Sequence, residues 1–118
     1  MAALTTTPFN SVNGVATATV NTASASDTIT YVANTGMLLE MDNTTGGSLT
    51  LNIKGTNPDA AYPVSGTPTT IDLSAGYNVV IAASTKKILN LDKIKAYLAG
   101  TGVVTLSGAA TLKITVYA

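Results

Sequence analysis

Six carboxylates, Asp27, Glu40, Asp42, Asp59, Asp72 and Asp92, are the whole acidic stock of this 118-residue chain, and it has no histidine, cysteine, tryptophan or arginine. General acid–base work at neutral pH draws on histidine, cysteine or a carboxylate displaced by burial. Only Glu40 and Asp42 stand close enough to weigh as a pair: at i and i+2 they share one strand face. Such a pair could hold a hard cation or flank a glycosidic bond, but calcium and glycosidase sites need more than this spacing supplies. A solvated face beside a turn is the reading adopted. Serine and threonine abound, yet a nucleophilic hydroxyl needs an activating base, and nothing in the local sequence points to a Ser-Lys dyad.

Gly46-Gly47 and Gly100-Thr101-Gly102 are read as hairpin turns rather than phosphate cradles. Neither joins a strand to a helix in a dinucleotide pattern, and no Gly-Lys-Ser/Thr follows. Lys86, Lys87, Lys93 and Lys95 cluster around Asp92, but without arginine or an interleaved aromatic they lack the bidentate and stacking contacts that nucleic-acid sites favour. They are read as a solvated loop. Tyr31, Tyr62, Tyr77, Tyr97 and Tyr117 invite a carbohydrate platform, although tyrosine in alternating strands more often packs in a core or on a sheet. Of these, Tyr62 is the one expected to be exposed. The chain is therefore expected to be no enzyme and to need no cofactor or metal.

The elements that carry these residues are predicted to be strands. Threonine, valine, isoleucine and tyrosine, which suit a pleated sheet, dominate the stretches between Gly, Asn, Ser and Pro clusters. Residues 1–14, rich in Thr, Ser and Asn, read as an extended N-terminal arm that stays mobile or docks, followed by one domain over residues 15–118. Period-two alternation marks strands at 15–20 and 28–32. Met37 to Met41 and Leu49 to Ile53, joined by Asp42-Asn43-Thr44-Thr45-Gly46-Gly47, form the clearest predicted hairpin. The connection from Gly55 to Thr69 carries Pro58, Pro63 and Pro68, which deny it both helix and interior strand, and its length suggests a partner-facing role.

Ile71 and Leu73 with Tyr77, Val79 and Ile81 predict a second hairpin, and residues 103–106 with 112–117 a third. Between them, residues 88–98 fit either a helix, through Leu91, Ile94, Lys95 and Leu98 with Asn90 as cap, or a strand. Strands at this spacing predict an all-β fold: a single-domain antiparallel β-sandwich of jelly-roll or immunoglobulin-like type. Ile29, Tyr31, Leu49, Leu51, Ile53, Val79, Ile81, Leu112, Ile114 and Val116 are expected to face inward.

Charged residues make up 10 % of the chain against roughly a quarter in typical soluble domains, and the formal net charge is zero. A surface so poor in charge favours association. No apolar run approaches a membrane span, and no secretory leader is evident, so synthesis in the cytoplasm is expected, with neither membrane nor nucleic acid as partner.

Read in order, Leu38-Leu39-Glu40-Met41-Asp42-Asn43-Thr44-Thr45-Gly46-Gly47-Ser48-Leu49-Thr50, then Ile71-Asp72-Leu73-Ser74-Ala75-Gly76, then the closing stretch from Gly102-Val103-Val104-Thr105-Leu106 to Tyr117 resemble the small head-decoration, or capsid cement, proteins of tailed bacteriophages and related virion structural proteins. The resemblance implies a non-catalytic β-sandwich that binds the outer face of an icosahedral head, often as a trimer, with the major capsid protein as partner and the virion as its location. A carbohydrate- or receptor-binding sandwich and a tail or fibre component are the rival classes. Partner contacts are expected at Thr5, Thr6, Thr7, Pro8 and Phe9 of the arm and at Pro58, Tyr62 and Pro68 of the long connection.

Overall fold

In a computed structural model, the structure of residues 2–8, 17–56, 62–64, 67–69, 75–98 and 101–118 is described. The strands are β1 (Ala2–Ala3), β2 (Thr6–Thr7), β3 (Asn21–Thr22), β4 (Ser26–Tyr31), β5 (Leu38–Asn43), β6 (Leu49–Gly55), β7 (Tyr62–Val64), β8 (Thr67–Thr69), β9 (Tyr77–Ile81), β10 (Thr85–Asn90), β11 (Gly102–Ser107) and β12 (Lys113–Tyr117). A 3-10 turn over Leu91–Ile94 runs into one α-helical turn, α1 (Lys95–Leu98). The first sheet has the order β1-β4-β11-β6-β9 and the second β10-β5-β12-β2, with β3 also paired to β12. The two sheets pack face to face as an all-β, antiparallel-rich sandwich.

The core between them follows from alternation. In β5 the odd positions Leu39, Met41 and Asn43 are buried while Leu38, Glu40 and Asp42 face outward. Ile29, Tyr31, Leu51, Ile53, Ile81, Leu112, Ile114 and Val116 are buried as the alternation predicts, and Leu49 and Val79 pack half-buried against them. Leu91, Ile94 and Leu98 close one end of the core from the helical turns. The ambiguous stretch thus divides: β10 runs to Asn90, whose Oδ1 accepts the backbone N–H of Asp92 at 3.0 Å and caps the turn that follows.

The predicted hairpins need correction. β5 and β6 lie in opposite sheets, as do β11 and β12. β9 pairs with β6, while the strand expected at Ile71 and Leu73 lies outside the described residues. Alternation and turn residues report a chain reversal and one buried face. A hairpin within a sheet and a corner between two facing sheets satisfy both signals equally. The strand expected at 15–20 also fails where it is described: residues 17–20 are exposed and unpaired in any ladder, and pairing begins only at Asn21. The long connection, in turn, carries a small hairpin, β7–β8, in which Pro63 faces Pro68. A two-stranded sheet is all edge, so the rule that keeps proline out of interior strands is respected.

Two polar nodes, one of them fully buried, hold the corners. Asn43, fully buried, donates from Nδ2 to the carbonyls of Gly47 (2.8 Å), Ile81 (3.0 Å) and Ala82 (3.2 Å), and accepts at Oδ1 from the N–H and hydroxyl of Thr45. At the other end Asp92 accepts from the Tyr31 hydroxyl and from the backbone N–H groups of Asn34 (2.9 Å) and Gly36 (3.0 Å), tying the loop after β4 to the 3-10 turn. Burial, then the hydrogen bond and charge of Asp92, push the Tyr31 phenol up to about 12. The stability this contributes is complete below the ordinary tyrosine value near 10 and is lost as pH rises through about 12. The urea midpoint is therefore expected to fall between these values, and Tyr31→Phe should flatten most of that slope, leaving the share contributed by Tyr117, whose phenol is also raised.

Candidate docking surface

Residues 2–8 lie on the sandwich rather than ahead of it. Ala2 and Ala3 pair in parallel with Asp27 and Thr28 on the first sheet, and Thr6 and Thr7 pair in parallel with Val116 and Tyr117 on the second. The segment thus closes the side opposite the β9–β10 edge. Thr7 is fully buried, its Oγ1 accepting from Thr19 N–H at 2.9 Å. Thr5 is clamped reciprocally by Asn21, which accepts its N–H and donates to its carbonyl, both at 3.0 Å. Its strand hydrogen bonds go to the chain's own edges, and the side chains of Ala3, Thr5 and Pro8 remain exposed. Phe9 and Pro58 lie outside the described residues.

Tyr62 and Pro68 sit on the β7–β8 hairpin, Tyr62 opposite Thr69; their side chains, and with them the expected exposure of Tyr62, lie outside the description. Because Val64 pairs with Thr67, the Pro63–Pro68 pair occupies the position at which N–H groups point away from the partner strand. Both outer edges of the hairpin therefore lack a donor at the same level, which discourages further strand addition. The lysines guard the other exposed edge. Lys87 donates to the Val80 carbonyl at 2.7 Å, satisfying an edge acceptor of β9, and Lys86 approaches Glu40.

The tyrosines form no platform among the described residues. Tyr31 is buried, and half-buried Tyr77 and Tyr97 pack edge to face at 5.3 Å. Among the described residues the large exposed apolar side chains are aliphatic: Val20, Val32, Val80, Ile88 and Val103. The outer face of the first sheet carries Ala3, Thr30, Thr50, Lys54, Asn78, Val80 and Val103 as its exposed side chains, with one charge among them.

The outer face of the second sheet is different. Its register sets three rows across β10, β5 and β12: Lys86–Asp42–Lys113, Ile88–Glu40–Thr115 and Asn90–Leu38–Tyr117. The weighed pair Glu40 and Asp42 does share this face, between lysines, and no group of three acids able to hold a metal occurs among the described residues. Lys86 Nζ stands 3.6 Å from Glu40 Oε1, and the Tyr117 hydroxyl donates to Oε2 at 3.2 Å. Burial, followed by the Glu40 charge, raises the Tyr117 phenol above its ordinary range. Leu38, Glu40, Ile88 and Tyr117 line an open trough of about 310 Å³.

The sequence reading missed Ile88 and Leu38 as surface residues. The signal was present: in Thr85-Lys86-Lys87-Ile88-Leu89-Asn90 two adjacent apolar residues occupy one strand, so one of them must face out. Of the remaining described carboxylates, Asp27 accepts the N–H and hydroxyl of Ser24 at 2.7 and 2.6 Å, and Asp92 serves the node already described. No helix among the described residues is long and apolar enough to cross a membrane. Comparison with protein-family models, with curated proteins and with solved structures finds no match for this chain.

Proposed function

We propose that this protein is a non-catalytic structural subunit, a decoration protein that binds the outer surface of an icosahedral bacteriophage head as a homo-oligomer, a trimer being the state the sequence resemblance favours, and stabilises the shell. The observation that carries this reading is the character of the exposed apolar surface: among the described residues it is aliphatic and dispersed, and Tyr31, Tyr77, Tyr97 and Tyr117 are turned inward or half-covered. Asp27 and Asp92 are engaged in holding loops. Neutral, weakly apolar faces suit many modest contacts repeated over a lattice.

Mixing the purified chain with heads that lack it, followed by sedimentation, tests the reading. Saturable co-sedimentation at a stoichiometry matching the lattice symmetry is the expected result. Failure to bind heads, together with retention on glycans or on isolated tails, would replace it with one of the rival classes.

A further inference from the structure

We infer that the trough on the outer face of the second sheet seats an arginine side chain of the partner protein, with its guanidinium on Glu40 and its aliphatic stem along Ile88 and Leu38. The inference rests on the docking role proposed above and names the chemistry of one contact. Three of the four lining residues are apolar or aromatic, and the fourth is a carboxylate. The volume, about 310 Å³, lies at the small end of ligand pockets, room for one side chain rather than a cofactor.

The charge complement follows from how Glu40 is held. Its side chain is 21 % exposed, yet its contacts are loose: 3.6 Å to a lysine that is itself 56 % exposed, and 3.2 Å to the Tyr117 hydroxyl. A carboxylate offers about four acceptor positions and makes its strong charge-assisted bonds at roughly 2.7–2.9 Å. Beside it Ile88 remains 62 % exposed. A cation on an apolar stem satisfies both with a charge-assisted bond, and a planar guanidinium can also lie against the Tyr117 ring while forking onto the carboxylate. Lys86 is then an internal competitor, held by an exposed pair of the kind that contributes little.

The test is a nuclear magnetic resonance titration of the full chain with n-butylguanidinium, guanidinium and n-butylammonium at matched ionic strength. Saturable shifts at the Ile88 and Leu38 methyls and the Tyr117 ring are expected with n-butylguanidinium, which should bind about tenfold more tightly than guanidinium. Glu40→Gln should weaken it about tenfold, and Lys86→Ala should tighten it. Should Glu40→Gln disturb the fold, Ile88→Ser, at an exposed position, should weaken n-butylguanidinium while leaving guanidinium unchanged. Shifts that do not saturate, that are indifferent to both Glu40→Gln and Ile88→Ser, or that are matched by n-butylammonium would overturn the assignment. Loss of probe binding with head binding intact would refute the trough alone; the reverse would refute the decoration role alone.

Discussion

Gly55→Ala is expected to lower the thermal midpoint by roughly 10–15 °C, a loss of about 3 kcal/mol. Gly55 ends β6 and is buried under α1, and a Cβ there would stand 2.3 Å from the Leu98 carbonyl oxygen and 2.5 Å from its Cα. Both are backbone atoms, so no side-chain rotation relieves the overlap. The helical turn must lift, and with it Ile94 and Leu98 leave the end of the core. Gly46→Ala and Gly47→Ala supply the control. A Cβ at either position meets nothing within 4 Å, and their midpoints should stay within about 2 °C of the parent. Calorimetry of the three variants distinguishes a close approach at Gly55 from a general cost of replacing glycine.

Asn43→Ala should cost a comparable 3–4 kcal/mol, read as a fall in the urea midpoint. The amide satisfies carbonyls from its own turn and from the end of β9 in the opposite sheet, so its loss strands acceptors at a corner where Ile81 is fully buried. Asn43→Asp keeps the shape but replaces the donor with a charge facing three carbonyl oxygens. It should be at least as damaging at pH 7 and regain stability as acid protonates it. A variant in which Asp matches the parent at neutral pH would show that shape, not donation, matters at this corner.

Asn43 also shows where the sequence stopped being informative. The apolar run Met37 to Met41 and the alternation in residues 49–53 both located strands, and alternation gave the buried face of the second. In the first, Asp42 and Asn43 read as turn although they complete the strand with Asn43 buried. Whether the Asn-Thr-Thr-Gly-Gly turn folds a hairpin or carries the chain across the sandwich depends on the position of a second sheet tens of residues away, which no local pattern encodes. Gly55 is similar: it read as the start of a loop, and the helical turn that demands it lies some forty residues on. Thr6 and Thr7 read as arm residues because two-residue parallel pairings are too short to leave a periodic signature. The proposed docking face was partly legible. Glu40 and Asp42 stood out as one face of one strand, whereas Ile88 and Tyr117 join them only through the β10–β5–β12 register.

The proposed decoration role makes its most direct demand on the shell rather than on the free protein. A subunit that binds only assembled lattice stabilises it by mass action, by about 2.7 kcal/mol per site at a hundredfold excess over Kd. Heating undecorated heads with increasing amounts of the purified chain, and following genome release by dye fluorescence, should show the release temperature rising with occupancy and levelling at saturation. A release temperature unchanged at saturating concentration would contradict the account.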